Sequence, residues 1–253
     1  MTGAGYPTTN THASVQAASL NAGASATWRT EKMKATTFIL WRGPSAFDGK
    51  PIMVIATGTY TPSANPKTGW MIQIWILVEG MPPVEAMMQG EDASICGDCN
   101  LRRKECYVTT LHFTGMWKKA IREGIDISPK KFGSLARKRH LPIRLGAYGD
   151  PAMVPLWVWQ HLGSMPKGTG YTHQWEWADV QFAELVMASV DTLEKKEEAN
   201  KLGYKTFRIL RKGDKPTRDE VMCPNPKLGT QCRTCGLCGG LRVKSKNVAI
   251  EMH

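Results

Sequence analysis

Seven cysteines carry the most specific chemistry in this 253-residue sequence, and they fall into two groups. The first is Cys96-x2-Cys99-x6-Cys106 and the second is Cys223-x8-Cys232-x2-Cys235-x2-Cys238. Thiolates at such short spacings suit a soft metal, because one tight loop can aim neighbouring sulfurs at a single point. With no sign of export in the sequence, a disulfide framework is the weaker reading. Structural zinc usually takes two knuckles of two cysteines each. The second group instead packs three cysteines at successive x2 spacings, with the fourth remote and followed by proline, Cys223-Pro224. That pattern favours a [4Fe–4S] cluster over zinc: three close thiolates bind three irons of a cubane and a distant Cys-Pro supplies the last. Gly236, Gly239 and Gly240 permit the tight backbone wrapping such a loop requires.

The first group leaves more than one reading open. Cys96, Cys99 and Cys106 could hold a second cluster with one iron open to a ligand or substrate. They could equally bind zinc with a fourth ligand such as His112, or contribute to the other group's site. One radical-enzyme signature is absent: the sequence contains no Cys-x3-Cys-x2-Cys.

The elements that must position these loops read as α/β. The first thirty or so residues are rich in Ala, Ser, Thr, Asn and Gly, and are expected to form a disordered arm over 1–30 with no secretory signal. A β-rich part is expected over 31–92, with strand-like runs of β-branched and aromatic residues at 37–41, 52–57 and 70–78. Turn residues separate them, and a short helix is expected at 83–89. From 93 to 253 strands alternate with helices: strands at 143–148, 169–173, 185–190, 204–210 and 248–252, and helices at 154–162, 178–182 and 192–202. Such alternation implies parallel strands joined by crossovers. The units fall short of a closed barrel, so the expected fold is a β-rich N-terminal part followed by a partial (β/α) barrel with cysteine-rich metal-binding loops. The span 31–253 could form one domain.

In that architecture the carboxyl ends of the strands collect the chemistry. Tyr148, Asp150, His173 and Gln174 fall there. Asp150 and His173 are the candidates for acid–base work, with a capping aspartate and a core histidine as the plain alternatives. Tyr148 and Gln174 are candidate cofactor contacts. Lys67, in Asn65-Pro66-Lys67-Thr68-Gly69, could present its charge to a phosphate, although the missing glycine pattern favours a hairpin turn. Trp157, Trp159, Trp175 and Trp177 could stack bases, but the two-residue spacing of the first pair points them differently, so some belong to the core.

The formal net charge of +11 favours a polyanionic partner, chiefly nucleic acid. Lys130, Lys131, Arg137, Lys138, Arg139 and His140 crowd one segment, and Arg208, Arg211, Lys212, Lys215 and Arg218 another. The longest apolar run, near 70–78, is short and interrupted by Gln73, so no membrane partner is expected. The oligomeric state is not legible.

Several stretches resemble a family of phage- and prophage-encoded cysteine-rich proteins, some provisionally named rolling-circle replication initiators. They include Trp41-Arg42-Gly43-Pro44-Ser45, Cys96-Gly97-Asp98-Cys99, Arg144-Leu145-Gly146-Ala147-Tyr148-Gly149-Asp150-Pro151 and Gly170-Tyr171-Thr172-His173-Gln174-Trp175. The segment Cys232-Arg233-Thr234-Cys235-Gly236-Leu237-Cys238 is similar to tails of phage proteins with a radical-enzyme-like barrel. The resemblance implies a phage origin, iron–sulfur binding and residence in the cytoplasm of an infected bacterium. The initiator label meets a chemical obstacle: none of the six histidines forms the metal-binding His-x-His of the common nicking enzymes.

These readings converge on an iron–sulfur protein with one or two [4Fe–4S] clusters, associated with nucleic acid, the cluster being structural or redox-sensing. Two alternatives stand beside it: a radical S-adenosylmethionine-like enzyme with an open iron at Cys96, Cys99 and Cys106, and a zinc-stapled nucleic-acid-binding module.

Overall fold

Runs of β-branched and aromatic residues form the first three strands, β1 (Phe38–Pro44), β2 (Pro51–Thr57) and β3 (Ile72–Val78). The structure, a computed structural model, describes residues 37–63, 65–103, 106, 108–163, 168–242 and 246–251. The expected arm over 1–30 and the side chain of His112 lie outside the described residues. β1 and β2 form an antiparallel hairpin in which Gly43 faces Ile52. Its loop is closed by the Ser45 N–H on the Lys50 carbonyl at 2.8 Å. β2 pairs antiparallel with β3, Met53 facing Leu77. Residues 52–56 are buried on both faces, as a central strand covered on two sides requires.

β3 also pairs in parallel with β5 (Ile143–Tyr148), so the antiparallel N-terminal strands and the parallel strands share one sheet. The crossover between them holds α1 (Pro83–Gln89), α2 (Ala93–Cys96), α3 (Leu111–Glu123), the short edge strand β4 (Ile125–Asp126) and α4 (Pro129–Lys138). α4 starts where its chemistry dictates: Pro129 occupies the first turn and the Ser128 hydroxyl accepts the Lys131 N–H at 3.4 Å. Gly133 lets α4 press against α5 (Leu156–Leu162), since a Cβ there would lie 1.9 Å from the Leu162 carbonyl oxygen.

β6 (Thr169–Thr172), β7 (Met187–Val190), β8 (Thr206–Leu210), β9 (Glu220–Met222) and β10 (Asn247–Glu251) continue the sheet in parallel. Among the described residues the order is β4-β1-β2-β3-β5-β6-β7-β8-β10-β9, ten strands, with β10 inserted between β8 and β9. The protein is therefore mixed α/β with a mainly parallel sheet. Residues 36–253 form one compact unit.

Side-chain alternation divides the parallel strands into two faces. Ala188 and Val190 of β7 share the main core with Ala199 of α6 (Leu193–Lys201), which packs on β7 and β8. The Thr192 hydroxyl caps α6 by accepting the Lys195 N–H at 3.2 Å. On the opposite face, Arg144, Gly146 and Tyr148 of β5, Tyr171 of β6, Ser189 of β7, Phe207 and Ile209 of β8, and Val248 and Ile250 of β10 line a cavity. Among the described residues, no helix is long and apolar enough to cross a membrane.

Candidate metal centre

All seven cysteines line that one cavity, whose volume is about 300 Å³. The first group arrives on α2, which ends at Cys96; Gly97 then turns the chain with φ 59° and ψ −139°. Four contacts from separate parts of the chain hold this segment. The Ser45 hydroxyl donates to the Ser94 carbonyl at 2.6 Å, and the Asp150 N–H donates to the Ile95 carbonyl at 2.6 Å. The Gln174 amide donates to the Cys96 carbonyl at 3.1 Å, and Arg102 pairs with the buried Asp92 at 2.8 Å. Cys106 returns toward the segment through its N–H on the Leu101 carbonyl at 2.9 Å.

The second group is built from two short helices. The Cys223 N–H donates to the Ala249 carbonyl at 2.7 Å, beside β10, and Pro224 opens α7 (Pro224–Leu228). α8 (Cys232–Cys235) follows, and the left-handed Gly236, φ 66°, closes it with an N–H on the Cys232 carbonyl at 2.9 Å. The Gly170 N–H donates to the Cys238 carbonyl at 3.1 Å, tying the last cysteine to β6. The turn between β2 and β3 docks on the same loop. The Lys67 and Thr68 carbonyls accept the N–H groups of Cys232 and Arg233, each at 3.0 Å, and the Gln231 amide donates to the Pro66 carbonyl at 3.1 Å.

None of the seven cysteines is joined in a disulfide. Burial raises the Cys99 thiol to about 11 and that of Cys238 to about 12, and pushes Cys96 well up. Within each group the neighbouring sulfurs add to the effect: Cys99 and Cys106 act on Cys96, and Cys223, Cys232 and Cys235 on Cys238. Such thiols hold their protons near neutral pH, so a bound cation must displace them and supply the missing positive charge. Among the described residues, no three His, Cys, Asp or Glu side chains stand in ready-made ion-binding geometry. The residues fit a thiolate-bound metal by type, by grouping and by their shared cavity.

Tyr148, Asp150, His173 and Lys67 also line the cavity. Asp150 is fully committed: Oδ1 accepts the Ala152 N–H at 2.9 Å and Oδ2 accepts the His173 N–H at 2.7 Å. Burial nevertheless raises its carboxyl to about 6. Burial lowers His173 to about 4, so its ring is neutral near physiological pH. The expected acid–base pair is thus linked through backbone rather than through the imidazole. Burial also drives the Tyr148 phenol far up, leaving a neutral hydroxyl. Gln174 sits behind the first cysteine loop, where its Oε1 accepts the Trp177 indole N–H at 2.9 Å. The Lys67 N–H is taken by Asn65 Oδ1 at 2.9 Å, which makes this segment a turn in agreement with its residue chemistry.

Arg144 and Tyr171 are among the cavity residues that the sequence did not single out. They share strand parity with Tyr148 and His173, and that parity was the available signal. Tyr171 packs on the apolar patch of Met187, Cys238 and Val248, and its ring lies 4.4 Å from that of Phe207. Trp159 and Trp175 are core residues with indoles bonded to Pro151 and Ser189 carbonyls, whereas Trp157 and Trp177 are exposed.

The basic segments are divided as well. Lys130, Lys131 and Lys138 are exposed on α4, while Arg137 donates to the Leu162 carbonyl at 2.7 Å and Arg139 to the Thr59 carbonyl at 2.7 Å. Arg208 is buried in an ion pair with Glu220 at 2.7 Å. Compared with protein-family models, with curated proteins and with solved structures, the chain matches none.

Proposed function

We propose that this chain is an iron–sulfur protein of phage origin, working in the reducing cytoplasm of an infected bacterium. One observation carries the reading: thiols from two distant sequence segments, all seven of them, line one cavity on one face of a parallel sheet. Cys223, Cys232, Cys235 and Cys238 would hold a [4Fe–4S] cluster with four thiolates. Cys96, Cys99 and Cys106 would hold a second with three. A bound cluster supplies one-electron chemistry and, where an iron lacks a thiolate, a position for a ligand. Strands with a helix packed on one face and a cavity on the other support a partial (β/α) barrel as the scaffold. The exposed lysines of α4 support contact with nucleic acid.

Iron, zinc and acid-labile sulfide analysis of anaerobically purified protein tests this directly. About four or eight irons with matching sulfide, and a broad absorption near roughly 400 nm, are expected. Zinc without sulfide overturns the cluster and leaves a stapled binding module.

A second reading follows from the first group's having three cysteines beside Tyr148, Asp150 and His173 in the cavity. In that reading the open position binds S-adenosylmethionine for reductive cleavage. Turnover by reduced protein that Cys99→Ala abolishes supports it, and no cleavage by a cluster-replete, reduced sample excludes it.

A further inference from the structure

We infer that the turn between β2 and β3 is a positioning part of the four-cysteine site: its carbonyls cap the cysteine helix α8 and fix where Cys223, Cys232 and Cys235 stand. The inference rests on the reading that this group holds a metal, whether iron or zinc. It concerns the backbone that aims the sulfurs.

A helix leaves its first N–H groups without partners inside itself, and in a helix of four residues that is every N–H it has. In α8 each of them is accounted for. Thr234 and Cys235 donate to the Gln231 carbonyl at 3.0 and 2.9 Å. Cys232 and Arg233 donate outside their own segment, to the Lys67 and Thr68 carbonyls, each at 3.0 Å. Gln231 holds the capping position but makes no side-chain cap; its amide goes instead to the Pro66 carbonyl at 3.1 Å. Three successive carbonyls of a distant turn therefore do the work that a capping side chain does elsewhere.

The Lys67 carbonyl also joins the remote cysteine to the close ones. Besides the Cys232 N–H it accepts the Asn225 amide at 3.4 Å, and that amide also donates to the Thr230 carbonyl at 3.0 Å. Asn225 lies in α7, two residues after Cys223. One oxygen with two lone pairs thus gathers the helix that follows Cys223 and the helix that carries Cys232 and Cys235. The turn is braced by its own residues: Asn65 Oδ1 accepts the Lys67 N–H at 2.9 Å, and the Thr68 hydroxyl donates to the Asn65 carbonyl at 3.2 Å. Gly69, with φ 68°, sits so close that an added Cβ would lie 2.6 Å from Gln231 Oε1. The first cysteine group has other supports, from Ser45, Asp150, Gln174 and Arg102.

Groups that hold metal ligands in place from one step behind typically cost about 10- to 100-fold in metal affinity when removed. The experiment follows metal loss to a chelator from the full chain, purified without oxygen, and from Asn225→Ala, Gly69→Ala and Gly80→Ala. Gly80 shares the left-handed backbone, φ 77°, but an added Cβ there meets nothing within 4 Å, so it carries the backbone cost without the contact. Metal and sulfide per chain and urea midpoints are measured on the same samples, and Cys99→Ser identifies the metal held by the first group. Asn225→Ala and Gly69→Ala should each release the four-cysteine group's metal about tenfold faster than wild type, with the first group's rate unchanged. Gly80→Ala should lower the urea midpoint yet release metal at the wild-type rate. Asn225→Ala introduces no backbone strain and decides the matter if Gly69→Ala does not fold. Release unchanged in the turn variants, raised as much by Gly80→Ala, or raised equally at both groups would overturn the inference. A wild-type chain whose four-cysteine group holds no metal overturns the reading beneath it.

Discussion

The carboxylate of Asp150 accepts the backbone N–H of His173 at 2.7 Å, while the Asp150 N–H donates to the Ile95 carbonyl beside Cys96 at 2.6 Å. Asp150, two residues after β5, therefore joins the end of β6 to the first cysteine loop. Asp150→Asn keeps the size but turns an NH₂ toward one of two backbone donors, leaving a buried N–H without an acceptor. The expected loss is about 1–3 kcal/mol, read as a lower urea midpoint with an unchanged slope. If the first group holds the proposed cluster, its iron content should also fall. A variant as stable as wild type, with full iron, would mean that the bracket does not organise the loop.

Away from the cavity, the Arg208 guanidinium makes two hydrogen bonds to Glu220, at 2.8 and 2.7 Å, with both side chains almost fully buried. Burial alone would push the Glu220 carboxyl up, but Arg208 and the Thr217 N–H and hydroxyl outweigh it and hold the value below the ordinary one. Asp214 and Asp219 also face Arg208. For a carboxyl lowered in the folded state, the stabilisation is present above the unfolded value, about 4.3, and disappears as pH falls through the folded one. Stability should therefore drop on acidification below that point. Glu220→Gln should flatten this limb and cost about 3–5 kcal/mol at neutral pH, because Arg208 remains buried without its counter-charge. An acid limb identical in both proteins would assign the pH dependence to other groups.

Gly97 and Gln174 form the tightest fit behind the first cysteine loop. A Cβ on Gly97 would lie 2.7 Å from the Gln174 Cδ, and its φ of 59° with ψ −139° suits glycine alone. Gly97→Ala should destabilise by about 1–3 kcal/mol and displace the amide that holds the Cys96 carbonyl. If both groups hold the proposed clusters, chelator-driven iron loss from the first should accelerate while the second keeps its metal. Adding Gln174→Ala relieves the clash but not the backbone cost, so the double variant should lose less than the sum of the two singles. Strictly additive losses would show that the two residues do not press on each other.

How much of this was legible depended on the range of the interaction involved. β2, β3 and β5 follow from local runs of β-branched and aromatic residues, and α6 ends one residue before the expected Leu202, with Gly203 just beyond. The helix expected at 178–182 is a 3-10 turn at Val180–Glu184, because Asp179 caps it through the Gln181 N–H and the Leu185 and Val186 N–H groups both fold back on Phe182. That same fold-back delays β7 to Met187. α3 and α4 were missed, although Ser128-Pro129 was a readable start signal for α4. The cysteine groups were visible as spacing. Their meeting at one cavity was not, because it depends on β10 entering between β8 and β9 and on the β2–β3 turn docking against α8. Those pairings join segments far apart in sequence, which no local pattern encodes.

The exposed lysines of α4 offer a clean test of polyanion binding, because they can be changed without touching the fold. Lys130, Lys131 and Lys138 face solvent, whereas Arg137 and Arg139 in the same segment hold the Leu162 and Thr59 carbonyls and must be kept. If α4 lies against a nucleic-acid backbone, Lys130→Gln, Lys131→Gln and Lys138→Gln together should weaken binding at low salt. The slope of log affinity against log salt should also flatten by about 0.9 for each duplex phosphate no longer neutralised, or about 0.7 on single strands. Thermal midpoints should stay within about a degree or two, since solvent-facing substitutions usually change stability by less than about 0.5 kcal/mol. A salt slope unchanged in the triple variant would make α4 a solvated face, and the positive charge would then have to act elsewhere, beginning with Arg233 beside the second cysteine group.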